Sequence, residues 1–354
     1  MIRFLRAAAL LLGVAMLAAS CANLGSGNAS SATPADLYAI MPSQDDVRSL
    51  MGDSTWWGGP PSFEVQPLNW AMTPQTEKFA LSEMYLHLGT DERLIARYVV
   101  FDKTSSASTR MSNLKSIYSG SATSPKVGDD TLYVVQAGQG GAPYDFFTFV
   151  RVGQVLLTAL WARKDPTMST NVLGKIAKEF ADPLRNLGKS HTRLGAVDPN
   201  LLPPPGLDIT MLGSANLPLE SFVVMQGTAL PDTVLALLKQ AGVTTFAYGD
   251  YALNPDPSME VQTGILRFPS AAAATDWANT FSPNPPDPSG IGSGYIKGGN
   301  TPAAGVYHYV FASGSYGALI ICKSAADGAA ASRECEDPAE RTAIAWKAGL
   351  EGLR

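Results

Sequence analysis

The sequence predicts an α+β protein of two tandem, internally duplicated modules, each an antiparallel sheet backed by helices. Three observations lead to this prediction. In each half of the chain, a period-two apolar pattern changes to helical spacing after a phenylalanine. Each half then contains two apolar strands joined at a glycine, and each half ends in an amphipathic segment. Consecutive strands followed by helices are typical of an α+β layer.

The repeat is clearest in a strand followed by a helix. Residues 97–114, RYVVFDKTSSASTRMSNL, and residues 264–281, GILRFPSAAAATDWANTF, match at a constant offset of 167 positions. In each copy an alternating strand ends in phenylalanine, small residues form a turn, and apolar residues recur at helical spacing. The matching apolar positions are Ala107, Met111 and Leu114 in the first copy and Ala274, Ala278 and Phe281 in the second.

A hairpin follows in each half. Residues 145–162 and 306–324 each contain two apolar strands that we expect to fold at a glycine. The glycines are Gly153 and Gly314, and they stand where a tight turn needs a positive φ. The two halves therefore share the hairpin as well as the strand and helix.

Each half also has a helix before its strands and a helix after them. The first helices, 42–52 and 231–242, begin at proline and stop at glycine, as helix ends favour. The closing helices are predicted over 170–187 and 338–353, the second with Pro338 in its first turn.

The repeat predicts the division of the chain. The first module covers 37–190 and the second covers 207–354. Between them, residues 191–206 include three consecutive prolines, which favour a stiff, extended linker.

Residues 1–20 have the features of a secretory signal. Arg3 and Arg6 give a positive start, and residues 7–19 form an apolar run that is too short to span a bilayer. Small residues follow, and Cys21 stands directly behind them.

This arrangement resembles the lipobox of bacterial lipoproteins. The resemblance implies diacylglyceryl attachment to the Cys21 sulfur, palmitate-type acylation, cleavage before Cys21, and a mature chain anchored in the cell membrane, facing the outside or the periplasm. The sequence departs from the pattern at Ala18, where leucine is usual. The alternative is a plain secretory signal cut near Ala19, which leaves Cys21 as a free thiol. Residues 21–36 are rich in small polar residues and are predicted to form a flexible tether.

Composition limits the classes of protein and partner. Hydrophobic residues make up 45% and charged residues 16% of the chain, which is typical of a globular protein with a core. The formal net charge of −5 argues against a nucleic acid as partner. After the signal no apolar run reaches the length of a transmembrane helix.

Two cysteines remain if Cys21 is lipidated. Outside the cytoplasm, Cys322 and Cys335 are expected to form a disulfide across a short segment of small residues. The alternative is two free thiols, one of them buried in a strand.

The plan of strand, small-residue helix and hairpin resembles the extracytoplasmic sensor-type domains of actinobacterial lipoproteins and of some receptor kinases. The residues that carry the resemblance are the helix at 270–281, VGDD at 127–130 and the hairpin sequence VRVGQVLLTAL at 150–160. The resemblance covers most of the mature chain, and it implies a binding or sensing role without catalytic activity.

Residues that suggest catalysis are few. Ser112 and Lys115 match S-x-x-K, but Ser112 lies on the polar side of a predicted helix, and the other elements of penicillin-recognising enzymes are absent from the sequence. His87 and His308 each lie singly in a predicted strand. We therefore predict no catalytic residue, no metal site and no cofactor, and we do not expect an enzyme.

Trp56 and Trp57 are the candidate binding residues. They lie in a segment with two glycines and two prolines, which predicts a loop. Adjacent residues of a regular element face opposite sides, so we expect one tryptophan to be exposed and available for a sugar, lipid or protein. The alternative places one tryptophan on the core and the other along the surface.

These observations favour an anchored extracytoplasmic protein that binds an unknown small molecule or an envelope protein. The bilayer is the expected partner of its N-terminal anchor. The cleft between the modules is the expected site, because pockets occur preferentially at domain interfaces. Two alternatives stay open, a cell-envelope enzyme with an unrecognised site and a structural scaffold in an envelope complex.

Overall fold

A computed structural model describes ten segments of the chain. The segments are 32–64, 76–138, 142–167, 169–187, 193–227, 230–253, 259–287, 289–297, 306–324 and 328–353. The predicted signal peptide, Cys21 and residues 22–31 of the predicted tether lie outside these segments.

The first half of the chain forms a seven-stranded sheet, which we call sheet A. Its strands are β1 (Trp56–Gly58), β2 (Ser62–Glu64), β3 (Glu77–His87), β4 (Arg93–Phe101), β5 (Asp130–Gln136), β6 (Tyr144–Val152) and β7 (Val155–Arg163). They lie in the order β1-β3-β4-β7-β6-β5, with β2 also paired to β3, and all pairs are antiparallel. The helices of this half are α1 (Pro34–Ile40), α2 (Gln44–Met51), α3 (Thr104–Ile117) and α4 (Thr170–Ala181).

The second half forms a six-stranded sheet, sheet B. Its strands are β8 (Ile209–Leu217), β9 (Phe246–Leu253), β10 (Met259–Arg267), β11 (Gly292–Lys297), β12 (Val306–Ser313) and β13 (Tyr316–Ser324). They lie in the order β11-β12-β13-β10-β9-β8, again antiparallel throughout. The helices are α5 (Leu219–Gln226), α6 (Pro231–Gln240), α7 (Ala271–Phe281) and α8 (Gly328–Glu351).

The predicted fold class is confirmed, because two antiparallel sheets are backed by helices. The sheets also share one strand order, in which β3, β4, β7, β6 and β5 correspond to β9, β10, β13, β12 and β11. The predicted hairpins are β6–β7 and β12–β13, and they turn at Gly153 with φ 57° and at Gly314 with φ 54°. The halves differ at one edge of their sheets. Strand β8 precedes α5 and α6 in the chain, whereas β1 follows α1 and α2.

The predicted end of the tether is wrong. Helix α1 begins at Pro34, inside the range 21–36, and Thr33 and Asp36 form a reciprocal capping box at its start. Ala32 is already buried. Apolar residues of α1, including Leu37 and Ile40, join the core, and their burial holds this segment against the folded chain.

Both closing helices differ from their predicted bounds. Helix α4 ends at Ala181, and a 3₁₀ turn over Asp182–Asn186 follows, because Pro183 cannot continue the α-helical hydrogen bonding. Helix α8 begins at Gly328, and Pro338 lies inside it instead of at its start. The loss of one backbone hydrogen bond at Pro338 is tolerated in a 24-residue helix that packs against β12 and β13.

The segment predicted as a stiff linker is packed against the second half. Asn216 donates its backbone N–H to Gly195 at 2.7 Å, and the Trp346 indole donates to the Leu201 carbonyl at 3.0 Å. Leu202 is buried. Apolar side chains within 193–202 therefore fix the connection on sheet B, whereas prolines alone would predict an extended spacer.

One hydrophobic core passes through both halves. Tyr98 and Phe180 from the first half belong to the same cluster of buried side chains as Phe222 and Phe246 from the second. Smaller clusters lie beneath α3 on sheet A and beneath α8 on sheet B. The halves meet where α5 packs on β1 and where β2 contacts β9 and β10.

Candidate functional site

A cleft of about 500 Å³ lies where the two halves meet. Its wall combines strand β2 and the loop before it, strands β3 and β4, helix α5, and strands β10, β12 and β13. The polar lining residues are Ser62, Ser82, Glu83, Gln226, Gln262, His308 and Lys323. The apolar lining residues include Met84, Ile95, Val224, Met225, Val306 and Ile321.

Strand alternation explains the placement of Ser82 and Met84 in the wall of the cleft. Ser82 and Met84 are two residues apart on β3 and therefore lie on one face. Ile95 on β4 is the cross-strand partner of Met84, so these two side chains are neighbours on that face.

Sheet B places a polar row at the cleft. Gln262 on β10 pairs with Ile321 on β13, and Ile321 pairs with His308 on β12. The next pair on the same face is Glu260 with Lys323. These polar side chains lie at core-facing positions, and Glu260, Gln262 and His308 are buried.

The polar residues beside the cleft form a hydrogen-bonded network that joins β2 to sheet B. The Ser62 hydroxyl donates to Glu260 Oε1 at 2.9 Å and accepts from Gln262 Nε2 at 3.0 Å. Gln262 Nε2 also donates to Glu260 Oε1 at 2.8 Å. The Lys323 ammonium lies 3.1 Å from Ser62 Oγ and 3.1 Å from Glu260 Oε2. Glu260 is therefore both paired with a cation and hydrogen-bonded, as a buried carboxylate requires.

A second network lies behind the first. The Tyr38 hydroxyl is 2.5 Å from Asp250 Oδ2 and 3.0 Å from the Pro61 carbonyl, and Phe63 donates its N–H to the same Asp250 oxygen at 2.8 Å. Tyr248 donates to the Pro61 carbonyl at 2.8 Å. Burial, followed by the charge of Glu260, raises the pKa of Asp250 well above its usual range. This network holds the segment that carries Ser62 in place.

Glu83 is a buried acid on the opposite face of β3 from Ser82. It shares that face with Leu81 and Tyr85, and its side chain is almost fully buried. Burial raises the pKa of Glu83 well above its usual range, with only partial opposition from the Tyr85 hydroxyl and Arg193. In the described part of the chain, its Oε2 has no hydrogen-bond partner.

The expected exposure of a tryptophan is wrong. Trp56 and Trp57 form most of strand β1 instead of a loop, and both are buried, with exposed fractions of 2% and 5%. Trp56 stacks on His87 at 5.0 Å between ring centroids and meets Trp161 edge-on. Because α2 and α5 both pack against β1, the edge strand is covered on its two sides, and neither ring is presented for binding.

The histidines and Ser112 have structural surroundings. His87 Nε2 lies 3.0 Å from Asp53 Oδ2, and its ring stacks on Trp56. His308 is buried in sheet B with its Nδ1 3.4 Å from the Tyr295 hydroxyl. Ser112 is exposed on α3, where its hydroxyl donates to the Ser108 carbonyl at 3.0 Å.

Cys322 and Cys335 form the predicted disulfide, with their Cα atoms 5.5 Å apart. The bond ties β13 to α8 on the face of sheet B that α8 covers, and both residues are buried. Cys21 lies outside the described residues, so its lipidation stays a prediction. Among the described residues, no group of three or more His, Cys, Asp or Glu side chains is arranged to hold a metal ion.

Sequence reasoning predicted a cleft between the halves but missed its residues. Ser62, Glu260, Gln262 and Lys323 were not singled out. A usable signal was present in the strand MEVQTGILR, where Glu260 and Gln262 alternate with apolar residues in a segment whose other positions are core-like. The partner Ser62 is almost 200 residues away in sequence, and no local pattern connects it to them.

Comparisons with known proteins identify no family for the chain. No protein-family model matches it, and no curated protein matches it. Among solved structures, it is similar to the extracellular domain of PknH from Mycobacterium tuberculosis, with 16% identity and a TM-score of 0.33 over 42% of this chain and 94% of that chain. We take no function from this likeness. Within the described segments, no helix has the length and apolar character needed to cross a membrane.

Proposed function

We propose that this protein is a lipid-anchored extracytoplasmic binding protein that takes a small ligand in the cleft between its two halves. The observation that carries the proposal is the convergence of side chains from both sheets and from α5 on one cleft of about 500 Å³. This volume falls within the range of small-molecule sites, roughly 300–1,000 Å³. Apolar walls and a few fixed polar groups, as found here, are typical of such sites.

The polar side of the cleft supports binding because it is held in one arrangement. Ser62 and Gln262 are hydrogen-bonded to Glu260, and Lys323 is paired with it. Because these protein side chains are already fixed in place, they lose less conformational entropy when a ligand binds.

Ligand binding is tested by native mass spectrometry of the full chain isolated gently from its own envelope. We expect a reproducible bound mass in the native protein. The variant Ile95→Trp, which fills the cleft, should lose that mass, whereas Ile117→Trp, which changes an exposed position on α3, should keep it. A clean mass for the wild-type protein contradicts the proposal.

Anchoring is tested separately by metabolic labelling with an alkyne-bearing fatty acid. The wild-type chain should carry the label and sediment with membranes. The variant Cys21→Ser should lose both properties, and Ser30→Ala, a change in the same small polar segment, should lose neither. Label that persists in Cys21→Ser contradicts lipidation at this residue.

A second candidate function is acyl transfer at Ser62. Its hydroxyl lies within hydrogen-bond distance of a carboxylate, Glu260, and an amine, Lys323, and the residue lines the cleft. We favour binding because Glu260 and Lys323 are paired with each other, which leaves neither group ready to take the serine proton. Covalent labelling of wild-type protein by a fluorophosphonate, and its loss in Ser62→Ala, would favour the enzyme instead.

A further inference from the structure

Within the network formed by Ser62, Glu260, Gln262 and Lys323, the Lys323 ammonium can still donate a hydrogen bond to a ligand. Ser62 has one hydroxyl proton, which goes to Glu260, and both amide protons of Gln262 go to Ser62 and Glu260. The Lys323 ammonium has three N–H bonds, and the described residues accept two of them, at Glu260 and Ser62. The side chain of Lys323 is 38% exposed, so its third N–H bond is available to an oxygen atom of a ligand.

The charges around Lys323 disfavour an ionic head group. The ammonium is already balanced by Glu260, whose side chain is only 7% exposed. A carboxylate placed on Lys323 would be attracted by the ammonium and repelled by the nearby Glu260. It would also lose its hydration against apolar walls. An ammonium head beside Lys323 would meet a like charge. A neutral carbonyl or ether oxygen avoids both the repulsion between like charges and the loss of a charged group's hydration.

The opposite wall suits a hydrocarbon. Met84 and Ile95 from sheet A face the cleft beside Val224 and Met225 from α5. These four side chains are apolar, and the two methionines can adjust to an irregular or flexible chain. The wall therefore provides burial for an aliphatic group in the same cleft that Lys323 lines.

We propose that the cleft binds an uncharged amphipathic molecule, with an acceptor oxygen on the Lys323 ammonium and a hydrocarbon part against Met84, Ile95 and Val224. This inference rests on the proposed function, because it assigns a chemical class to the ligand of the same cleft.

The test compares three probes of equal chain length, monodecanoylglycerol, decanoate and decylamine. Binding is measured by isothermal titration calorimetry below their micellar concentrations. The full chain carries Cys21→Ser, so that no attached acyl chain competes. We expect monodecanoylglycerol to bind at least about tenfold more tightly than either charged probe. Ile95→Trp should weaken that binding by about tenfold or more, and the exposed control Ile117→Trp should leave it within about twofold.

Two outcomes overturn the inference and are distinguishable from failure of the proposed function. Tighter binding of decanoate or decylamine, still blocked by Ile95→Trp, refutes the neutral class but keeps the cleft as a binding site. The absence of binding by all three probes also refutes the inference. The native mass spectrum of the wild-type chain then tests the proposed function by itself. Met84→Ala provides a second cleft variant if Ile95→Trp does not fold, and it too should weaken binding of the neutral probe.

Discussion

Tyr38 has one hydroxyl proton but lies near two acceptors, Asp250 Oδ2 and the Pro61 carbonyl. The hydroxyl donates to both in a bifurcated hydrogen bond, at 2.5 Å to Asp250 Oδ2 and at 3.0 Å to the Pro61 carbonyl. Burial and the neighbouring Glu260 raise the pKa of Asp250. At the scale of single residues, Tyr38 of the first half is therefore hydrogen-bonded to Asp250 of the second.

Tyr38→Phe should destabilise the protein. The substitution keeps the buried ring but leaves Asp250 and Pro61 each with one hydrogen bond fewer, which costs about 1–3 kcal/mol in the free energy of unfolding. Urea unfolding measures this difference. The control is Tyr118→Phe, because the Tyr118 hydroxyl makes no hydrogen bond within the described segments and its ring packs on Phe149. Equal stability of the two variants would show that the Tyr38 hydroxyl contributes nothing.

Glu83 predicts a dependence of stability on pH. Its pKa is raised by burial in the folded chain, whereas the unfolded chain releases the proton near about pH 4.3. Between that pH and the raised pKa, the folded state binds more protons than the unfolded state. The contribution of Glu83 to stability is therefore full below about pH 4.3 and is lost as the pH rises toward the raised value.

The variant Glu83→Gln removes this titration and should flatten the fall in stability as the pH rises above about 4.3. Urea unfolding across this range measures the slope. Glu351→Gln changes an exposed glutamate at the end of α8 and should keep the wild-type slope. If Glu83→Gln follows the wild-type curve, the carboxyl does not titrate differently in the folded and unfolded states.

At the scale of elements, the two halves exchange helices across their boundary. Helix α1 comes from the first half but packs on β8 of sheet B, and α5 comes from the second half but packs on β1 of sheet A. Apolar faces decide both placements, because Leu37 and Ile40 of α1 and Phe222 of α5 are buried in the shared core. The helix nearest the predicted anchor is thus attached to the sheet that supplies the polar row of the cleft.

The disulfide should stabilise the contact between β13 and α8. Cys322 and Cys335 are 13 residues apart, and closing a loop of this size contributes about 3 kcal/mol in the chain-entropy model. The double variant Cys322→Ala with Cys335→Ala should therefore lower the free energy of unfolding by about that amount. Wild-type protein unfolded in dithiothreitol serves as the matched control and should show a similar loss. Unchanged stability in both would mean that the bond does not constrain the unfolded chain.

At the scale of the whole molecule, the two sheets depend on each other. Their shared core includes side chains from α1, β1 and α5 that lie between the halves, and the cleft exists only where the halves meet. The predicted modules 37–190 and 207–354 have matching sheets, yet each would expose part of this core if it stood alone.

We therefore expect segments 37–190 and 207–354, expressed separately, to unfold without a cooperative transition, whereas the full chain unfolds in one step. Thermal unfolding followed by near-ultraviolet circular dichroism measures this. Mixing the two segments should restore part of the transition, since their apolar faces fit each other. A sharp transition in either segment alone would establish it as an independent domain.

The sequence by itself determined the repeated pattern of strand, helix and hairpin. Periods of two and of 3.6 residues are local properties, and a glycine between two apolar strands indicates a turn. For this reason the hairpins at Gly153 and Gly314, the helices after Phe101 and Phe268, and the α+β class were predictable. Local pattern also predicted the Cys322–Cys335 disulfide, because the two residues are close in sequence.

The tertiary structure alone decided the burial of Trp57 and the composition of the cleft. Trp57 is covered because α5, more than 150 residues later, packs on its strand. Ser62, Glu260 and Lys323 meet because a short strand of one half contacts the sheet of the other. Such contacts depend on which apolar faces pack together. That packing minimises the exposed apolar surface of the whole chain, so no single segment determines it.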